Sequence, residues 1–481
     1  MRRARWTTAV AVLAAFALAA PAAAHDGAFQ DAWWMGEDHP GWYWESQESQ
    51  SKNLKMVGSI SRTRDSSSYR NSDLAFWGDR AYAGHYDGFQ IVDVSDPGNP
   101  AQMADFACPG SQHDVSVWRD LLFVSVETPR SSPACDSEQM AGGMPGFEGM
   151  RIFNVADPNE PVLVKGVPTD CGSHTHTLVP DVENGRVLLY VASYTARELP
   201  AHPTYGNACQ RFDADGNRAH QKISVVEVPL DNAADAKVVS EPTFPQNDRN
   251  GVPGYNGCHD ITVFTAIERA ASACMDEGQI WDISDKENPK TIARVHNPNV
   301  EFFHSAAFSW DGKTVVFGDE AGGGTGPRCR PDDADTLGAL WFYDVDSLDS
   351  MADSGTEPWL SSWKVPRHQT TPAGVTQSQD PNCTMHNFNT LPTTKRNVLV
   401  SSAYAAGTTV VDFTDRRNPT EVGHHDPHGA NTWSSYWYNG HIYTNDGGRG
   451  VDVMKLAARE GSGTQMLPHS NPQTQDAVLR K

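Results

Sequence analysis

Gly88-Phe-Gln-Ile-Val-Asp-Val-Ser-Asp-Pro97 returns three times along the chain. It reappears as Gly149-Met-Arg-Ile-Phe-Asn-Val-Ala-Asp-Pro158 and as Gly278-Gln-Ile-Trp-Asp-Ile-Ser-Asp285 followed by Asn288-Pro289. The last copy is Gly407-Thr-Thr-Val-Val-Asp-Phe-Thr-Asp415 followed by Asn418-Pro419. Each is a β-branched and aromatic run that ends in Asp or Asn and Pro. Proline cannot donate to a sheet ladder, so each copy reads as a strand, a turn and a following strand. Looser copies begin at Lys222, Ala339 and Arg449, which makes seven units.

Upstream of each run lies a second recurring position. Five units carry histidine there (His113, His176, His259, His304, His386); the other two carry Ser72 and Thr432. These positions are spaced 41 to 83 residues apart, and the minimum suits a four-stranded blade with the excess in loops. The expected fold is all-β, a single seven-bladed β-propeller closed by an N-terminal strand. Strand A opens at the ring residue, B follows, C is the repeated run and D comes after the proline. Unit seven lacks a D strand, and Leu54-Lys-Met-Val-Gly-Ser-Ile60 is assigned to that place, which leaves no exposed edge.

The repeated runs resemble the LVIVD repeat of secreted seven-bladed β-propellers. The resemblance is specific in the four units quoted above and looser in the other three. It implies the fold and an exported protein, but not an activity.

Arg2, Arg3 and Arg5, the apolar run Ala9–Ala20 and Pro21-Ala-Ala-Ala24 read as a secretory signal over residues 1–24. The expected organisation continues with an N-terminal arm (25–52), the propeller (53–456) and a C-terminal tail (457–481), with arm and tail outside the blades. Without the signal the chain has 35 basic against 60 acidic residues. That balance disfavours nucleic acid and anionic lipid as partners. No later stretch is apolar enough to span a bilayer, and the expected state is a secreted monomer. All eight cysteines lie beyond the signal, which in an oxidising compartment reads as disulfides. Pairing neighbours joins 108–135, 171–209, 258–274 and 329–383. A shifted set joining 135–171 and 209–258 strands Cys108 and Cys274.

Because four antiparallel strands alternate direction, A-strand starts and B-strand ends share one mouth of the channel. The candidate metal ligands are therefore His113, His174, His176, His259, His304 and His386, with His424, His425 and His428 available to complete the circle. Five ligands from five blades cannot all reach one ion, so a subset should bind and the rest should line the pocket. Glu127 and Glu320, at B-strand ends, are the candidate catalytic base or histidine orienters. Imidazole ligands suit copper or iron, and zinc less, rather than magnesium or calcium. The plan is similar, as a site and not as a motif, to the inner-strand histidines of carotenoid-cleaving oxygenases. It points to a metal-dependent oxidoreductase acting on a small molecule. The alternative is a non-catalytic binding or adhesion propeller for a protein or an extracellular polymer such as a polysaccharide. The Trp33-Trp34 and Trp42-Tyr43-Trp44 cluster reads as arm packing or a sugar platform, and Ala321-Gly-Gly-Gly-Thr-Gly326 as a mouth loop. There is no Gly-x-Ser-x-Gly elbow to support serine hydrolysis.

Overall fold

The computed structural model describes residues 49–62, 70–194, 198–246, 257–324, 330, 332–349, 359–367 and 382–480. The signal, most of the arm with its tryptophans, and Cys329 lie outside these. The chain forms a seven-bladed β-propeller, one sheet per blade. The inner A strands are Asn71–Trp77, Val115–Trp118, Thr175–Asp181, Asp260–Phe264, Phe303–Phe308, Phe388–Thr390 and Thr432–Tyr438.

The repeat is explained by local chemistry. In blade one the run Gly88–Asp93 is strand C, and Asp93 accepts a hydrogen bond from the Ser95 amide as the strand ends. Asp96 then accepts from the Gly98 amide and the Asn99 side chain, which folds the chain back into strand D. The same pair of caps recurs at Asn154 and Asp157, at Asp282 and Asp285, and at Asp412 and Asp415. The opening glycine is equally constrained. At Gly88 φ is +147°, and a Cβ there would stand 1.9 Å from the Phe106 carbonyl oxygen. Middle strands are covered on both faces by neighbouring blades and are buried nearly throughout, whereas outer strands such as Ala101–Ala107 are half exposed. Adjacent A strands are tied by hydroxyls: Thr175 to the His259 carbonyl, Thr262 to that of Ala306, Ser305 to that of His386 and Ser434 to that of Ser72.

Leu54–Ser61 is the outer strand of the sheet formed by Thr432–Tyr438, His441–Asp446 and Gly450–Leu456, antiparallel to the last of these. The described end of the arm and the tail depart from the expectation that they lie outside the blades. Ser49–Gln50 adds a fifth strand to blade six. The tail crosses the channel at the end remote from the histidines, because its amide side chains satisfy the ends of the inner strands. His469–Ser470 pairs with Phe76–Trp77, and Thr474–Gln475 runs parallel to Val263–Phe264. Asn471 accepts from the amide and donates to the carbonyl of Val117, and Gln475 does the same at Phe308.

The bridges Cys108–Cys135, Cys171–Cys209 and Cys258–Cys274 are present as expected. Cys383 is disulfide-bonded too, while its expected partner Cys329 lies outside the described residues.

Candidate metal centre

Four imidazoles from blades three to six stand in a row at one mouth. Ring centroids are 4.2 Å apart for His174 and His259, 4.0 Å for His259 and His304, and 4.3 Å for His304 and His386. All four are buried. Their backbones explain the convergence. The amides of His174, His259 and His386 donate to the B-strand carbonyls of Ala192, Ala273 and Ser402, just ahead of their A strands. His304 reaches the row through a register shift between Phe303 and Ser305. In blade three it is therefore His174, not His176, that holds the position of His259.

His176 and His113 do not join the row, contrary to the expectation for both. His176 lies two residues further along its strand. Its Nε2 meets Ser116 Oγ at 2.7 Å and its Nδ1 meets Ser125 Oγ at 2.9 Å. His113 precedes its strand with φ +56°, so strand alternation does not govern where its ring points. Its Nδ1 donates to the His85 carbonyl at 2.6 Å. Burial lowers the pKa of both rings to about 3, so each is held neutral. His424, His425 and His428 also stay away from the axis: His424 pairs with Glu421 at 3.2 Å, His425 lies on the outer strand and His428 is exposed.

Carboxylates frame the row. Glu127 Oε1 lies 2.7 Å from His174 Nδ1, and the remaining Nε2 of His174 lies 2.7 Å from His259 Nε2. Burial disfavours a charge on His174, but Glu127, with Asp260 and Glu320, outweighs it and the pKa is raised. Glu320 is wholly buried, with Oε2 3.7 Å from His304 Nε2 and Oε1 3.5 Å from His386 Nε2. One ligand atom each from His259, His304 and Glu320 lie within 4.8 Å of one another.

Two contributors were not anticipated. Asp260 sits below the row, Oδ1 3.4 Å from His259 Nδ1 and Oδ2 4.0 Å from His304 Nδ1. Burial raises its pKa to about 6. The signal for it was the aspartate that follows the ring residue in Ser72-Asp73, His113-Asp114 and His259-Asp260; the side chains of Asp73 and Asp114 line the same cavity. Tyr404, from the B–C corner of blade six, donates its phenol hydrogen to Glu320 Oε1, and Tyr194 stands at the same place in blade three. The cavity bounded by His174, His259, His304, His386, Asp260 and Trp433 measures about 10 Å³, room for one water-sized particle.

No protein-family profile and no curated protein sequence matches the chain. Among solved structures, it is similar to the computationally designed Ika8 protein at 11% identity and TM-score 0.44, over 84% of this chain and 100% of that one. It is similar to the Cps50 (Swd1) β-propeller domain of Myceliophteria thermophila at 10% identity and TM-score 0.46, with the same coverage. For Chaetomium thermophilum Raptor the values are 10% and 0.47, over 86% of this chain and 29% of that one.

Proposed function

We propose that this protein is a metal-dependent oxidoreductase whose ion is held by His259, His304 and Glu320. The observation that carries this reading is the convergence of those three buried ligand atoms. The surroundings fit a cation: Glu127, Glu320 and Asp260 bring carboxylates into a buried space whose imidazoles would repel one another if all were protonated. Two histidines and one carboxylate favour iron, with copper next and zinc less favoured. Such an ion, when bound, supplies one-electron chemistry and a polarising charge. Glu127 would fix the tautomer of His174, and Asp260 would turn the Nε2 atoms of His259 and His304 towards Glu320. The cavity volume suits a single ion and leaves a polymer no room at the axis.

The proposal extends to the repeat and the compartment. We read the chain as an LVIVD-repeat propeller on its four matching C-strand runs. We read it as exported on its signal-like first residues and its three described disulfides. Among the described residues no helix is long and apolar enough to cross a membrane.

The test is metal analysis of untagged protein, as isolated and after reconstitution with ferrous iron or copper. About one equivalent of either is expected. No stoichiometric transition metal under any of these conditions would leave the non-catalytic binding propeller as the better reading.

A further inference from the structure

We propose that Tyr404 is a positioning residue of this site: its phenol engages Glu320 Oε1, the oxygen nearer His386, so that Oε2 is the oxygen offered towards His304. The proposal rests on the metal reading above. Its geometry spans two blades, with Tyr404 at the B–C corner of blade six and Glu320 just after strand B of blade five. The ring of Tyr404 stands 4.7 Å from that of His386.

The backbone shows that the phenol is placed at a cost. Tyr404 has φ +45°, a left-handed conformation that suits glycine or asparagine and that a bulky side chain rarely adopts. Neighbouring groups hold it there: the Tyr404 carbonyl accepts from the amides of Gly407 and Thr432 and from the Thr432 hydroxyl. A turn alone needs no tyrosine. Strained residues held in place by their surroundings concentrate at functional sites. The carboxylate explains why this one is a phenol. With Oε1 committed to Tyr404, Glu320 faces His304 through Oε2.

Cobalt(II), whose visible spectrum reports ligand number, is the probe, titrated into the full-length protein. Tyr404→Phe keeps the ring against His386 and removes only the donor. It should weaken cobalt affinity by roughly 10- to 100-fold, the usual effect of losing a partner of a metal ligand, and change the visible bands. Tyr404→Asn suits the left-handed backbone but empties a buried ring site, so it should show the same loss of affinity with a lower melting temperature, whereas Tyr404→Phe should lose affinity with little change in melting temperature, which separates positioning from folding. Tyr438→Phe, which removes a phenol donor bonded to the Gly78 carbonyl at the far end of the inner strand, should leave affinity and bands as they were. Wild-type affinity and spectrum in both Tyr404 variants would overturn the positioning role and leave the metal reading standing. Failure of the wild type to bind cobalt would remove the metal reading and this proposal with it.

Discussion

The Nε2 atoms of His174 and His259 lie 2.7 Å apart across the join between blades three and four. At that distance only one of the two can carry a proton, or both can face a shared cation. Glu127 already occupies the other nitrogen of His174, so a neutral His174 offers its Nε2 lone pair to His259.

Histidines that look alike in sequence should therefore respond differently to substitution. His259→Ala should abolish stoichiometric metal while the fold is retained. His176→Ala should keep the metal but lose stability by roughly 1–3 kcal/mol, because Ser116 and Ser125 lose their buried partner. The exposed His428→Ala is the control for both. Metal content and urea denaturation of the three variants decide the matter. Metal loss in His176→Ala equal to that in His259→Ala would contradict the division made here.

The ring architecture was legible because four units repeat a rule of backbone chemistry: an opening glycine, at three of them where a Cβ would strike a carbonyl, then Asp or Asn caps, then proline. The site was only half legible. The repeat marks a position in sequence, but whether a ring reaches the axis depends on the residue's place relative to the strand start. His113 was misassigned because its left-handed backbone precedes the strand, and His176 because blade three is offset by two residues from His174. Tyr404 went unread although Tyr194 stands at the same place, two residues past strand B, because the corner recurs in only some blades. The tail was read as outside because its side chains, not an apolar pattern, dock it.

The depressed pKa of His113 gives a pH signature. Its folded value is about 3 against an ordinary 6.5, so between these values the unfolded chain binds a proton that the native state refuses. Stability from this group is complete above about pH 6.5 and falls as pH drops, by about 1.4 kcal/mol per unit. Raised carboxyls such as Asp114 act with the opposite sign, so the comparison must be with a variant. The stability advantage of wild type over His113→Asn should shrink by roughly 2–3 kcal/mol between pH 7.5 and 4.5, measured by urea denaturation. An advantage that stays constant with pH would mean that the ring is accessible to protons.

Leu54–Ser61 supplies the outer strand of the sheet that contains Gly450–Leu456, and its Leu54 is fully buried. Deleting these residues should expose the edge of Gly450–Leu456 and the apolar contact around Met454 and Leu456, with loss of the cooperative melt seen by circular dichroism. A deletion variant that melts like the intact protein would show that the ring does not need this strand.

The tail supplies the last prediction. Asn471 and Gln475 each satisfy both the amide and the carbonyl of an inner-strand residue, Val117 in blade two and Phe308 in blade five. Both side chains are buried, so truncating either strands a donor and an acceptor away from strong partners. At roughly 1–3 kcal/mol for each of the four groups left unsatisfied, Asn471→Ala with Gln475→Ala should cost on the order of 4–12 kcal/mol. The two contacts lie in different blades, so their effects should add. Gln465→Ala, in the same tail but with its side chain bonded to the amide and carbonyl of the exposed Arg480, should change stability by less than about 0.5 kcal/mol. Urea denaturation of the three variants at one pH measures this. If the double variant unfolded at the wild-type midpoint, the tail would lie across the channel without bracing it, because the inner-strand ends would then find equal partners in water.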